Sequence, residues 1–330
     1  MIPRRAPLAL LGLALIAAAC SSSGASSGAS VAPTSSSAAA ACATAPEPTD
    51  TSAWERPATT PTLVPFLVTN AVSCGKSRIL MLYLDSADRV RSAPDRTVKV
   101  AFYDIGRDPG KVVATAEGAF VWTIEGERGM YVLDVDLPEA GTWGAEFTTE
   151  APGSPAETVR MTFPVRSQIA TVRVGQPAPA SKTPTAADVG GDLSKISTDK
   201  SPDPAFYQTS VADALATHKP FMLVFATPKF CASAQCGPTL DQFKPIAAAH
   251  PEVTFINVEP YKLQVVDGTL RAVLDSRNQL QATEVTDQWG LLSEPWIFAV
   301  DRAGIVRGSY EVTITPAELT AILPVIAAGG

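Results

Sequence analysis

The sequence predicts two folded units of different class, an all-β antiparallel sandwich followed by an α/β unit, behind a low-complexity N-terminal stretch. Three observations carry this. Seven short apolar runs separated by turn signals fill residues 54–168, several alternating with period two. From residue 221 onward, continuous apolar runs alternate with helix-start signals, as strands buried on both faces do. The 330-residue length corresponds to about two domains, each able to bury its own core. Composition then narrows the function. With 26 Lys+Arg against 33 Asp+Glu, and no basic cluster beyond residue 5, nucleic acid is not an expected partner. Two histidines cannot build a His-rich zinc or copper centre, so no metal or cofactor is predicted. At 46% hydrophobic and 18% charged residues, the chain is neither an acidic disordered polymer nor a polytopic membrane protein.

Residues 1–20 place Arg4 and Arg5 before an apolar run from residue 6 to 19, the layout of an export signal. The run is shorter than the roughly 20 residues that span a bilayer as a helix. Its small-residue end, Ala17-Ala18-Ala19-Cys20, resembles a bacterial lipoprotein lipobox, with Ala17 where leucine is usual. The resemblance implies cleavage before Cys20, a diacylglyceryl group on its sulfur, and a protein anchored outside the cytoplasm to the cell membrane. The alternative is an ordinary secretory signal with Cys20 incidental. Residues 21–53 are rich in Ser, Ala, Thr and Pro, without a charge between Arg5 and Glu47. Such a segment behaves as a flexible tether with a reach on the order of 30 Å.

Within 54–168 the runs are 63–69, 79–84, 98–105, 112–122, 130–137, 143–149 and 159–165. Alternation is clearest in Val98-Lys99-Val100-Ala101-Phe102-Tyr103 and in Tyr131-Val132-Leu133-Asp134-Val135. The segment Gly141-Thr142-Trp143-Gly144 resembles the closing hairpin of small Ig-like modules in bacterial envelope proteins. Met81, Met130 and Met161 lie inside apolar runs and read as core filler rather than Cu(I) ligands.

Residues 169–330 comprise a Pro/Gly-rich connection and the second unit. A helix is expected at 211–218 with Ser210 as N-cap, then a buried strand at 221–226. The strand runs into Thr227-Pro228-Lys229-Phe230-Cys231-Ala232-Ser233-Ala234-Gln235-Cys236-Gly237-Pro238, with a helix from Pro238 kinked at Pro245. A second strand covers 253–258. Ser293-Glu294-Pro295-Trp296 then leads into another strand, Asp301-Arg302-Ala303-Gly304 marks a hairpin, and Thr315-Pro316-Ala317-Glu318 is a capping box. The order of strand, cysteine loop, Cys-Gly-Pro helix start and proline-led strand resembles the thioredoxin-like superfamily over roughly 175–330. That resemblance implies a cis Pro295 packed against a redox-active Cys231/Cys236 pair, with the Glu294 backbone free to bind an extended substrate. The chain departs from the family in two ways. The cysteines are spaced i, i+5, and strand 221–226 has no buried acid; Glu259, after the neighbouring strand, replaces it only by chance geometry.

On a regular helix the i, i+5 Cα atoms lie about 8–9 Å apart, beyond the roughly 7 Å a disulfide bridges. Pairing therefore requires Cys231 to sit on irregular loop. Aligned on Cys-Gly-Pro, Cys236 at the helix start is the favoured low-pKa sulfur, with Thr239 where the family's second cysteine would stand; aligned on the strand end, Cys231 is the first cysteine and Cys236 its displaced partner. With Cys20 lipidated, a Cys231–Cys236 pair leaves Cys42 and Cys74, whose union would pin the tether to the sandwich. The leading expectation is a membrane-anchored thiol–disulfide oxidoreductase acting on envelope proteins with thiols or disulfides. The alternatives are a non-catalytic binding or scaffold lipoprotein with a structural disulfide and, third, a copper-delivery protein. His218 and His250 flank expected elements as surface or capping residues.

Overall fold

Alternating side chains in the first unit make two sheets that share one core. The computed structural model describes residues 42–55 and 60–329. The export signal, Cys20 and most of the tether lie outside these. A short helix α1 (Ser52–Glu55) precedes strands β1 (Val64–Leu67), β2 (Val72–Ser73), β3 (Gly75–Leu84), β4 (Thr97–Asp104), β5 (Val112–Glu117), β6 (Ala119–Ile124), β7 (Arg128–Leu137), β8 (Gly141–Ala151) and β9 (Ser154–Arg166). One sheet has the order β1-β3-β7-β6 and the other β2-β9-β8-β4-β5. Ile79, Met81 and Tyr83 of β3 and Tyr131, Leu133 and Val135 of β7 meet Val98, Val100, Phe102, Trp143, Ala145 and Phe147 of the opposing sheet. These are every second residue of their strands, as a half-buried pleated sheet requires.

Two features of this unit differ from the sequence reading. The run 112–122 is two strands in different sheets: β5 pairs with β4, and β6 with β7. The crossing falls at Gly118, where an added Cβ would lie 2.9 Å from Val98 Cβ and 3.2 Å from Tyr131 Cβ. Hydropathy is continuous across that corner, so only the missing side chain marks it. The tether also ends earlier than residue 53. Ala45 N–H donates to the Ala140 carbonyl, and Trp54, 3% exposed, lies on β8 where Gly144 leaves room for its ring. Arg160 covers the outer face of that indole at 5.1 Å. Cys42 is joined to Cys74, so residues 42–55 belong to the folded body despite their composition.

The second unit continues with α2 (Val211–Ala216), β10 (Phe221–Phe225), α3 (Cys236–Ala249), β11 (Thr254–Val258), β12 (Leu263–Val266), β13 (Thr269–Ala272), α4 (Glu284–Trp289), β14 (Trp296–Val300), β15 (Val306–Glu311) and α5 (Pro316–Ala328). Its sheet has the order β11-β10-β14-β15, with β10 parallel to β11 and the other pairs antiparallel. Residues from α3 and α5 cover one face, and α2 and α4 contribute to the other. This is why all five residues of β10 are buried and why its sequence shows no alternation. Ser210 caps α2, and Thr315 with Glu318 forms a reciprocal capping box on α5. α3 starts at Cys236 rather than Pro238. Pro238 is tolerated there because the first-turn N–H groups have no intrahelical partner. The hairpin β12–β13, inserted between β11 and α4, has no counterpart in the sequence reading.

The two units are packed together. Leu80, Val121, Met130 and Val132 on the outer face of the four-stranded sheet bury Val312. Arg78 donates to Glu318 (2.5 Å) and to the Thr313 carbonyl (3.0 Å), and Asn70 Nδ2 donates to Glu311 (2.6 Å). A cleft of about 1030 Å³ runs beside these contacts, lined by Lys76, Arg78, Trp296, Tyr310 and Glu311 among others. Residues 169–205, read from the sequence as an interdomain connection, are tied at their start to the second unit. Val172 N–H donates to Trp289, Gly175 N–H to Val306, and Thr171 Oγ1 to Gly290.

Candidate functional site

The loop 226–235 leaves the end of β10 and enters α3, so it sits where the parallel strand pair opens. Thr227 at its start is fully buried, and Phe230 N–H donates back to the Thr227 carbonyl (3.1 Å). Lys229 N–H donates to Thr198 Oγ1 (3.2 Å) on the packed connection. Ala234 takes a left-handed backbone (φ 60°), turning the chain into the helix. Because these residues are irregular, Cys231 and Cys236 have Cα atoms 6.1 Å apart and form a disulfide.

The two sulfurs are not equivalent. Cys236 is 0% exposed and belongs to the core with Met222, Leu240 and Phe243, whereas Cys231 is half-buried on the loop. The N–H of Cys236, first residue of α3, donates to Cys231 Sγ (3.2 Å). The sequence favours Cys236 as the low-pKa sulfur; in the structure the helix start directs the Cys236 N–H at the neighbouring sulfur.

The Glu294–Pro295 peptide is cis. Glu294 is buried, tied to the cysteine loop at two points and to Tyr261 at a third. Its Oε1 accepts from Ala232 N–H (3.0 Å), its Oε2 from Tyr261 O–H (2.5 Å), and its carbonyl from Ser233 Oγ (3.0 Å). The Glu294 backbone, which the resemblance offers to an extended substrate, thus has one carbonyl lone pair engaged by Ser233. Ser233 Oγ also lies 3.3 Å from Cys231 Sγ and accepts from Gln235 N–H (3.3 Å). The sandwich reaches the same loop: Arg128 Nη1 donates to the Ser233 carbonyl (3.3 Å). Burial, and next its bond to Glu294, raises the Tyr261 hydroxyl above its ordinary range. Ser233, Tyr261 and Arg128 carry no sequence signal; they are ordinary residues that distant folding brings to the loop.

Glu259 follows β11 and is 8% exposed. Its Oε1 accepts from Thr198 N–H (2.6 Å) and Thr198 Oγ1 (2.7 Å), and the latter also accepts Lys229 N–H (3.2 Å). This carboxyl thus joins the cysteine loop through Thr198. Burial raises its pKa above the ordinary 4.5, against hydrogen bonds that lower it. A raised folded-state value means a stability contribution present below pH 4.5 and lost as pH rises through the folded value. Glu259→Gln, which keeps an acceptor for Thr198, should therefore lack that loss. Melting temperatures of the two proteins should converge in acid and separate toward neutral pH with the variant above. Parallel curves would remove Glu259 from this account.

The two histidines sit at element ends: His218 Nδ1 is 3.2 Å from the Arg302 carbonyl, and His250 is the C-cap of α3 beside Glu252. Met81 lies in the sandwich core with Met161 against it, and Met130 packs on the outer face near Val312. Neither cysteine of the second pair lines the interdomain cleft.

No protein-family model matches the chain, and no curated protein matches it. Solved structures give weak likenesses. A DUF4426 family protein from Pseudomonas aeruginosa is 18% identical, covering 32% of this chain and 90% of that one, with a TM-score of 0.25. A conjugative transposon lipoprotein from Bacteroides eggerthii is 10% identical, covering 32% of this chain and 98% of that one, with a TM-score of 0.18. At such scores neither carries an argument about this chain. Its two disulfides accord with an oxidising, extracytoplasmic compartment.

Proposed function

We propose that this chain is an envelope lipoprotein, anchored through Cys20, whose second unit is a thioredoxin-like domain exchanging disulfides through Cys231 and Cys236. The observation that carries this is the asymmetry of the pair. An outer sulfur receives the first N–H of α3, and an inner sulfur sits directly behind it in the core. That is what an attacking and a resolving cysteine need: access and thiolate stabilisation for one, protection for the other. The strand order β11-β10-β14-β15 supports the thioredoxin-like reading. The first unit, read as an Ig-like module, presents or restricts the cysteine loop through Arg128. Clients are envelope proteins with thiols or disulfides.

A scaffold reading draws support from the same loop. One lone pair of the Glu294 carbonyl is engaged by Ser233, and the sandwich holds Ser233 in turn. Trapping separates the two. Cys236→Ser, which keeps the outer sulfur, should accumulate mixed disulfides with envelope proteins, and Cys231→Ser should not. If neither variant traps a client, and the wild-type pair has a potential below about −300 mV, the disulfide is structural and the scaffold reading stands.

A further inference from the structure

β15 is the outer strand of its sheet, and its free edge is only partly used. At Val306 the chain's own connection extends the ladder: Gly175 N–H donates to the Val306 carbonyl (2.8 Å), and Val306 N–H to the Gln176 carbonyl (2.9 Å). The connection then leaves. Gln176 N–H donates back to the Arg173 carbonyl (3.1 Å), and Val172 N–H goes to Trp289 instead of to β15. β15 itself continues to Glu311. Val312 N–H donates to the Pro295 carbonyl (2.8 Å), and this sets the parity of the strand. Gly308 and Tyr310 bond to β14, while Ser309 and Glu311 turn their main-chain groups outward. Among the described residues, nothing accepts the N–H of Ser309 or Glu311, and nothing donates to the Ser309 carbonyl.

That vacant edge opens into the cleft between the two units. Arg307 through Glu311 line it without a gap, as a strand does edge-on; one face alone would show every second residue. Val174, 60% exposed, and Val325 of α5, 50% exposed, give the cleft apolar walls. Its charges are mostly matched. Arg78 and Arg307 are paired with Glu318 and Asp301, and Lys76 stands across from Asp136 in the β3–β7 register. Arg173 is the exception: it gives Nη2 to the Cys74 carbonyl (3.2 Å) and has no acidic partner among the described residues. It also stands where the occupied part of the edge ends. The connection runs antiparallel to β15 there, with Pro177 opposite Ile305. A strand added in the same direction along Ser309 and Glu311 therefore brings its C-terminus to Arg173.

We propose that the cleft binds the C-terminal end of another polypeptide in extended form, added antiparallel to β15. Its main chain bonds to Ser309 and Glu311, its terminal carboxylate pairs with Arg173, and aliphatic side chains lie toward Val174 and Val325. Neither Cys231 nor Cys236 lines this cleft, so the site adds a binding function independent of disulfide exchange.

The test is calorimetric titration of the full chain with the peptide N-acetyl-Val-Thr-Val-Thr-Val carrying a free C-terminal carboxylate. Amidating that carboxylate should weaken binding about tenfold, the worth of a hydrogen bond between charged groups. Arg173→Gln should weaken the acid by the same factor and leave the amide unchanged, a pattern that misfolding does not produce. Two further peptides need no protein variant. Methylating the alternate main-chain nitrogens in one register should abolish binding, and in the other register should not. Hydrogen exchange across residues 307–311 should slow only with the peptides that bind. Removing the acetyl group should bring no gain, since the ligand is the end of a longer chain. No binding of the acid at about 1 mM, equal affinities of acid and amide, or equal affinities of the two methylated peptides would overturn the proposal. A free amino terminus that binds tenfold tighter would overturn the polypeptide as ligand. Client trapping at Cys231 is read separately, so the exchange reading and this one can each fail alone.

Discussion

Brief alkylation of the reduced protein should modify Cys231 about 100-fold faster than Cys236. Cys236 is wholly excluded from solvent among Met222, Leu240 and Phe243, so a reagent reaches it only after the first turn of α3 opens. A local opening of about 3 kcal/mol leaves roughly one molecule in 150 reactive at any moment. Thiolate content adds to the difference, because burial favours the neutral thiol on Cys236 while its N–H favours charge on Cys231. Quenched time points, digested and mapped by mass spectrometry, give both rates in one experiment. Equal rates, or Cys236 leading, would return the attacking role to the helix-start sulfur that the sequence favours.

Removing the other disulfide should have the largest effect on stability. Cys42–Cys74 closes 32 residues, which on the chain-entropy account is worth about 3.7 kcal/mol. A Cys42→Ala/Cys74→Ala double variant avoids placing a hydroxyl at the buried Cys74 site. Denaturant unfolding of the intact chain should show a lower midpoint for the sandwich. The fluorescence of Trp54, now packed on β8 under Arg160, should become solvent-like at lower denaturant than the rest. A loss under about 1 kcal/mol would mean that Ala45 on Ala140 and Trp54 on Gly144 hold residues 42–55 unaided.

These two expectations depend on different levels of organisation. Local signals were readable without coordinates. Ser210 on α2 and Thr315 with Glu318 on α5 depend on bonds spanning three residues, so spelling and structure agree there. Alternation in β4 and β7 likewise reports one wet and one dry face, and the unbroken run of β10 reports two dry ones. The division of 112–122 between two sheets was not readable, since both halves are apolar and only Gly118 marks the corner. Nor was the packing of 42–55, whose small polar residues carry no periodicity and are held by a bridge to Cys74 and by a tryptophan on a distant strand.

At the cysteine loop the same line divides what each source determined. The sequence by itself established that a pair spaced i, i+5 needs irregular backbone at Cys231, because helical rise and turn put those positions out of bridging range. It also marked Glu294-Pro295 as the neighbouring loop. Only the tertiary structure decided which sulfur faces water, that Ser233 meets it, and that Tyr261 and Arg128 hold Glu294 and Ser233 in turn. Exposure belongs to a packed body rather than to a residue type. Arg128 stands 105 positions from Ser233, too far along the chain for spacing or propensity to record their contact.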